Sequence, residues 1–364
     1  MEMIKSHSKK LCIVVSSLGG GGAERSSAQL SELLYDLGYD IHIVSVLNKI
    51  DYPYKGQLLN LGELKSNDDS QFGRLKRLKV FKAYLKTHHF DYIIDNRPRI
   101  GFLKEFIISK FLYSSIKTIY FVHSYNTDLY IHPNQFLGKW LYKSAFKIVG
   151  VSSAISDKLK TKYRFNNLEV IHNAIIDIIQ TDANKEESIK NYIIFYGRID
   201  DKVKNISLLL DAYSKSKLPG ANMNLRILGN GHDKDMLIKK VEKLKIKENV
   251  RFLDFQSNPY DLVKQAYFTV LTSRYEGFPR VLIESLALGT PIVSVDCKSG
   301  PSEVIIHEEN GLLVENYNTD ALVSAMNRML EDKELYLHCK SNTKQSVAKF
   351  SKENISAQWK TLLT

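Results

Sequence analysis

Six short apolar runs punctuate the first half of the chain, at residues 11–16, 41–46, 92–95, 117–122, 147–152 and 168–171. They are rich in β-branched residues, and each gives way to a glycine or a polar loop, as a strand buried in a sheet does. Longer mixed stretches lie between them. One follows the glycines at 19–22 and runs to about Leu37, where Gly38 ends it; another spans residues 71–90. A polar, poorly periodic segment at 181–190 reads as a linker. The alternation then restarts, with strands predicted at 192–196, 223–228, 250–253, 267–272 and 292–295 and helices at 319–330, 333–349 and 351–363. Strand–helix alternation of this kind predicts an α/β chain with parallel sheets. No internal repeat or low-complexity tract is visible.

Residues 274–294, RYEGFPRVLIESLALGTPIVS, carry the strongest signal. The preceding strand breaks at Glu276-Gly277-Phe278-Pro279, and Pro279 suits a helix start, where its missing N–H costs nothing. Val281, Leu282, Leu286 and Leu288 keep the helix apolar until Gly289 and Pro291 end it. A helix start offers free backbone N–H groups and a positive dipole end, a seat for phosphate, and Gly277 lets a ligand approach closely. Glu276 precedes that seat. Glu284 lies roughly 7–8 Å along the axis at 1.5 Å per residue, so a diphosphate at the start would place a ribose beside Glu284 and a sugar beside Glu276. A carboxylate can grip vicinal hydroxyls because it accepts two hydrogen bonds at once. As an isolated pair, the two would read as a helix-end acid and a solvent-facing one.

At 364 residues the chain has room for two domains, and 44% hydrophobic with 25% charged residues is an ordinary soluble composition. Residues 1–17 imitate a signal peptide, but no small-residue cleavage site follows, and a first strand is the better reading. Cys12, Cys297 and Cys339 are far apart and lack metal-ligand spacing, which suggests reduced thiols in a cytoplasmic protein. The net charge of +11 is lopsided: residues 1–172 carry 25 Lys and Arg against 15 Asp and Glu, residues 173–364 carry 26 against 25. A basic first half points to an anionic surface or substrate there.

The 276–294 segment is similar to the E-x7-E region of retaining glycosyltransferases of family 4, and the resemblance extends over nearly the whole chain. It implies the GT-B fold: two Rossmann-like, doubly wound parallel-sheet domains facing a cleft, with the C-terminal helix returning to the first. On that basis residues 1–174, together with 350–364, form the acceptor-facing and membrane-facing domain. Residues 175–349 form the nucleotide-sugar domain, and His172-Asn173-Ala174 resembles the family's hinge. The resemblance assigns Gly20, Gly21, Gly22 and Arg25 of the G-G-x-E-R loop to donor phosphate and acceptor. It sets His123 against the donor sugar, with Tyr125 beside it as an acceptor candidate. The G-R…K-N segment gives Arg198 and Lys204 to the diphosphate, although Lys202 offers an alternative. Gly197, Gly229 and Gly231 become close-approach positions, Phe255 lies by the nucleobase, and Gly277, Phe278, Pro279, Arg280, Val281 and Glu284 complete the donor seat.

Two further stretches are read from their residues alone. Arg97 and Arg99 follow a strand end, where they would either grip acceptor phosphate or stand as solvated arginines at a helix entry. Residues 71–90 hold Arg74, Lys76, Arg77, Lys79, Lys82 and Lys86 with no acid. Phe72, Leu75, Leu78, Phe81 and Leu85 predict an apolar stripe, which would pack on the sheet, meet anionic lipid, or both.

These expectations combine into a retaining enzyme moving a hexose or N-acetylhexosamine from a nucleotide donor to a hydroxyl of a lipid-linked or envelope saccharide. UDP is the first choice of nucleotide and GDP the second. The partners expected are a nucleotide sugar, the saccharide acceptor and an anionic membrane surface, with the protein peripheral at the inner face of the plasma membrane. No D-x-D triplet is read as a metal site, Asp233-Lys234-Asp235 included, and no His/Asp cluster is read along the chain, so no metal and no cofactor are expected. A sugar-nucleotide epimerase, a glycogen-type synthase and a non-catalytic nucleotide-sugar subunit stay open as rivals. Nucleic-acid binding lacks interleaved aromatic platforms.

Overall fold

The computed structural model describes residues 8–176 and 190–364; the linker expected at 181–190 thus lies, but for Lys190, outside the described residues. The chain divides into two compact units, one of Met1–Ala174 with Lys352–Thr364 and the other of Ile175–Ser351.

The first unit is built on seven parallel strands: β1 (Lys10–Val15), β2 (Asp40–Ser45), β3 (Gln57–Asn60), β4 (Tyr92–Asp95), β5 (Lys117–Val122), β6 (Lys147–Gly150) and β7 (Leu168–Val170). Their spatial order is β3-β2-β1-β4-β5-β6-β7. The sequence pattern did not announce β3, a half-exposed edge strand whose QLLN lacks a β-branched residue. Central strands such as β1 and β4 are buried along nearly their whole length, as a sheet covered on both faces requires. The helix Lys352–Leu362 belongs to this unit. Its Trp359 is fully buried, with ring centroids 5.7 Å from Phe121, and Lys352 pairs with Asp36 at 2.6 Å. Residues 350–351, expected on the first domain, stay with the second unit. Phe350 sets its ring edge on Phe278, and its carbonyl accepts a hydrogen bond from Ile175 N–H.

Six parallel strands form the second unit: β8 (Tyr192–Tyr196), β9 (Asn224–Leu228), β10 (Val250–Leu253), β11 (Thr269–Leu271), β12 (Ile292–Asp296) and β13 (Gly311–Glu315), in the order β10-β9-β8-β11-β12-β13. Alternate residues of β8 enter opposite layers, Ile193 and Phe195 on one side, Tyr192, Ile194 and Tyr196 on the other. Residues 308–310 lead into β13, where Gly311 lies so close to Ile292 that a Cβ would sit 2.4 Å from its carbonyl oxygen.

Both sheets reverse direction of winding once, between β1 and β4 in the first unit and between β8 and β11 in the second. Loops leaving the carboxyl ends of strands at such a reversal part to opposite sides and leave a crevice, where α/β proteins bind ligands. The loops after β1, β4, β8 and β11 hold most of the candidate residues.

Candidate functional site

In the second unit the reversal brings together stretches seventy residues apart. The loop after β8 enters the short helix Asp201–Lys204, and the loop after β11 leads to the helix Arg280–Ala287. Arg274 N–H donates to the Val203 carbonyl, and Thr272 Oγ1 donates to that of Lys204. With the backbones tied, Lys204 Nζ lies 2.6 Å from Glu276 Oε1, which also accepts a 2.6 Å hydrogen bond from Ser273 Oγ. Lys202 is exposed, so Lys204 is the lysine that faces the acid. Arg198 is exposed on the same loop.

The helix Arg280–Ala287 begins at Pro279 with no side-chain cap, so its opening N–H groups have no side chain to satisfy them. The loop before it is held from behind: Glu276 N–H donates to the Lys298 carbonyl, and Ser299 Oγ donates to that of Gly277 at 2.8 Å. Gly300, at φ +102°, leaves no room for a side chain, since a Cβ would lie 2.4 Å from Pro279 Cδ. Sequence reading missed Ser299 and Gly300. A KSGPSE turn looks like any helix entry, and only its contact with residues 277–279 gives it a role.

Glu284 is not the solvent-facing acid of the isolated-pair reading. It is 2% exposed, and Arg280 Nη2 donates to its Oε1 at 2.7 Å from one turn earlier. Arg280 Nε is buried with no hydrogen-bond partner. Phe278 is buried, whereas Phe255 stands 56% exposed beyond β10, where a flat ring is free to meet a base. The loop glycines divide by environment. A Cβ on Gly229 would lie 1.9 Å from the Gly197 carbonyl oxygen, and one on Gly231 equally close to that of Ile199. Both are therefore glycine because two loop backbones touch, while Gly197 faces open space.

Two loops of the second unit also bring a His and two Asp together. Asp200, His232 and Asp233 carry potential ligand atoms within 4.8 Å of one another. They come from two loops, so spacing along the chain could not reveal them. His232 is exposed, and one Asp233 oxygen already accepts a hydrogen bond from Asp201 N–H at 2.7 Å.

In the first unit, Gly20–Gly22 lead into the helix Gly22–Asp36, whose N-cap Gly21 offers no side chain. Gly20 and Gly22 are exposed, and Arg25 is half-buried. Beside this turn is a small recess lined by Ser17, Glu24, Ser27, Asn96, Pro98 and Tyr130 among others. Asn96 Nδ2 donates to Ser27 Oγ at 2.9 Å, and its Oδ1 is buried without a partner, an acceptor awaiting a donor. Glu24 and Asn96 carry no signal of their own in the sequence, standing beyond strand ends beside Arg25 and Arg97.

Arg97 and Arg99 are the clearest correction. Both are buried and internally committed, neither solvated nor free for a phosphate. Arg97 makes a fork to Asp95, with Nε to Oδ1 at 3.0 Å and Nη2 to Oδ2 at 2.6 Å, and its Nη2 lies 3.5 Å from Glu105. Arg99 donates to the carbonyls of Asp95, Arg97, Phe121 and Tyr130, with the rings of Tyr120, Tyr130 and Tyr142 around it at 5.0–5.6 Å. They are struts that brace the loop after β4. Asp95 and Glu105, flanking the two arginines, were the signal.

His123 follows β5 with its ring 4.5 Å from Phe121 and a buried Nε2 that has no partner. Burial, then the Arg99 charge, pushes its pKa down to about 3, so the ring is neutral at physiological pH. Neutral imidazole can hydrogen-bond a hydroxyl but cannot act as a fixed cation. Tyr125 is half-buried under Lys158, whose Nζ stands 4.2 Å from the ring centroid.

The predicted stripe of residues 71–90 forms only in part. The helix Gln71–His88 buries Phe81 and Leu85, but Phe72 is 83% and Leu75 57% exposed. Arg74, Lys76, Lys79, Lys82 and Lys86 are exposed, while Arg77 is drawn to Asp69 at 3.0 Å.

Two parallel sheets of seven and six strands, each reversing its winding once, have the architecture of GT-B glycosyltransferases. Residues 20–177 match the model of Glycosyltransferase Family 4, and residues 178–346 match that of Glycosyl transferases group 1. The chain belongs to glycosyltransferase family 4. It is 31% identical, over 96% of its length and 97% of the other's, to the Campylobacter jejuni N-acetylgalactosamine-N,N'-diacetylbacillosaminyl-diphospho-undecaprenol 4-alpha-N-acetylgalactosaminyltransferase. With the amylovoran biosynthesis glycosyltransferase AmsD of Erwinia amylovora it shares 23% identity, over 97% of this chain and 99% of that one. Among solved structures, S. aureus TarM bound to fondaparinux, alpha-GlcNAc-glycerol and UDP superposes with a TM-score of 0.77 at 15% identity, over 98% of this chain and all of that one. No helix among the described residues is long and apolar enough to cross a membrane.

Proposed function

We propose that this glycosyltransferase moves a hexose or N-acetylhexosamine from a UDP-sugar, with retention of anomeric configuration, to a hydroxyl of a saccharide carried on a lipid diphosphate. The observation that carries the reading is the convergence of Lys204 and Glu276 at 2.6 Å ahead of an uncapped helix start. A diphosphate there receives the helix N–H groups and the Lys204 ammonium, with the exposed Arg198 on the same loop. Those groups stabilise charge growing on the departing nucleoside diphosphate. As Lys204 turns to phosphate, Glu276 is released from its ion pair to hold sugar hydroxyls. Glu284, oriented by Arg280, takes the ribose. His123, neutral, serves as a hydrogen-bonding partner of the sugar. In the recess of the first unit, Asn96 Oδ1 and Glu24 accept hydrogen bonds from the acceptor saccharide, the role that Arg97 and Arg99 cannot fill.

A lipid-linked acceptor is supported by the name of the Campylobacter relative, and UDP by the ligand of TarM. The basic excess of the first half and the exposed lysines of Gln71–His88 favour an anionic membrane surface as a partner. We hold catalysis to be metal-independent, with the cations and helix start neutralising the diphosphate.

Calorimetric binding of UDP, GDP and ADP, each in EDTA and then in magnesium, tests this reading. Tight binding of UDP in EDTA is expected. Binding that appears only with magnesium would overturn metal independence and move attention to Asp200, His232 and Asp233. Absence of binding to all three nucleotides would overturn the donor seat itself.

A further inference from the structure

The first unit leaves a group of large apolar side chains uncovered. Leu103 (69% exposed), Phe111, Phe136 (82%), Leu137 and Trp140 stand out, with Ile100 at their margin. They come from two neighbouring elements, the helix Phe102–Ile107 with its π-type continuation Ile108–Leu112, and the helix Gln135–Tyr142. The group is continuous. Trp140 stacks on Phe106 at 5.4 Å and on Phe102 at 6.3 Å, and Phe106 meets Phe111 at 5.5 Å. Phe136 lies one turn before Trp140 on the same helix face. Monomeric proteins rarely expose so many large apolar groups together without a partner.

Its surroundings say which partner. Lys104, Lys139 and Lys143 are exposed around the rings, and Lys110 Nζ reaches the Trp140 carbonyl at 3.1 Å while lying 5.3 Å from its ring centroid. Between residues 100 and 144 the acids are Glu105, buried between Arg97 and Lys104 with Lys104 Nζ 3.4 Å from its Oε1, and Asp128, paired with Lys162 at 2.6 Å. A tryptophan with aliphatic and phenyl neighbours, ringed by lysines, is the composition that settles at the headgroup level of an anionic bilayer. A second copy on the same face would set lysines against lysines across a two-fold axis. The face also adjoins the recess: Pro98 lines it two residues before Ile100, and Arg99 N–H donates to the Leu129 carbonyl beside Tyr130, another lining residue.

We infer that this face, and not the basic helix Gln71–His88 alone, inserts into an anionic phospholipid bilayer, so that Phe136, Leu137 and Trp140 enter the interface and the four lysines meet lipid phosphates. The inference rests on the lipid-linked acceptor reading only for why the protein should sit on a membrane. It stands or falls by lipid binding, which UDP calorimetry does not touch.

The chain has two tryptophans, and Trp359 is buried, so Trp140 reports on this surface by itself. Vesicles of phosphatidylglycerol and phosphatidylethanolamine in equal parts are titrated into the intact protein, with phosphatidylcholine vesicles as comparison. We expect a blue shift of Trp140 emission and its quenching by lipids brominated on the acyl chain, on anionic vesicles only. The Phe136→Ser, Leu137→Ser double variant should partition about tenfold or more weakly, with UDP binding unchanged. Replacing Arg74, Lys76 and Lys79 by Gln should weaken anionic binding while leaving the blue shift at saturating lipid. An unshifted Trp140 on vesicles that do bind the protein would overturn the inference. So would unaltered partitioning of the double variant, or a concentration-dependent dimer that buries Trp140 without lipid.

Discussion

Glu284→Ala is the perturbation whose cost the structure sets most directly. Glu284 and Arg280 are 2% and 9% exposed and meet at 2.7 Å, so removing the carboxylate strands a buried guanidinium whose Nε already lacks a partner. Breaking one partner of such a pair costs about 3–5 kcal/mol. For a unit of this size that lowers the melting temperature by on the order of 10 °C. Nucleotide affinity should fall as well, because a charged acceptor of a ribose hydroxyl contributes about 1.5–3 kcal/mol, or about 10–150-fold in Kd. Those losses are separable. The double variant Arg280→Met, Glu284→Leu removes both charges, keeps apolar volume, and should recover stability to within about 1–2 kcal/mol of the parent. It should not recover UDP binding. Thermal unfolding of the intact chain followed by calorimetry with UDP gives both numbers. Parental UDP affinity in the double variant would refute the ribose role, and an unshifted melting temperature in Glu284→Ala would refute the buried pair.

Gly300→Ala should cut UDP affinity by about tenfold or more, because its Cβ must displace Pro279 at the helix start and its φ is hostile to a side chain; parental calorimetry would show that the seat tolerates the shift. His123 is held neutral by burial and by Arg99, with a folded pKa near 3 against about 6.5 unfolded. Its contribution to stability is therefore complete above about pH 6.5 and is lost as pH falls towards 3. In His123→Asn the fall in urea-midpoint stability below that pH should be shallower, and an equal or steeper fall would refute the assignment. Arg97→Gln should destabilise by about 3 kcal/mol through the orphaned Asp95 while leaving the acceptor KM of the folded enzyme unchanged. A raised KM at parental stability would return Arg97 to the acceptor.

Legibility in the sequence followed the range of the interaction. The run of strand, loop and helix at 267–288 depends on neighbours in the chain: Pro279 at the helix start, Gly289 at φ +85° just past its end, and continuous apolar runs for strands covered on both faces. Lys204 facing Glu276 depends on a sheet reversal and was not foreseen, since the family resemblance supplied Lys204 only as a partner of the diphosphate. What local pattern could not resolve was whether a charge is spent inside the protein. Arg97 and Arg99 look from the sequence like the exposed lysines of Gln71–His88, and only Asp95, Glu105 and four carbonyls in three dimensions separate the two cases. The His/Asp cluster escaped for the same reason, its members coming from separate loops. Phe72 and Leu75 differ the other way, since a helical period predicts a stripe but not which of its residues the protein itself covers.

The return of Lys352–Leu362 to the first unit bears on biosynthesis. Trp359 fills a place against Phe121 that no earlier segment fills, and Lys352 fastens the helix to Asp36. When Ala174 leaves the ribosome, the first unit has all seven strands and an unfilled notch. The intervening unit takes about 10–35 s to make at about 5–20 residues per second. For that interval the nascent chain carries an open hydrophobic slot, and it is then that chaperone capture or a premature stop would do most harm. The fold thus delays completion of its first half until the second has been translated.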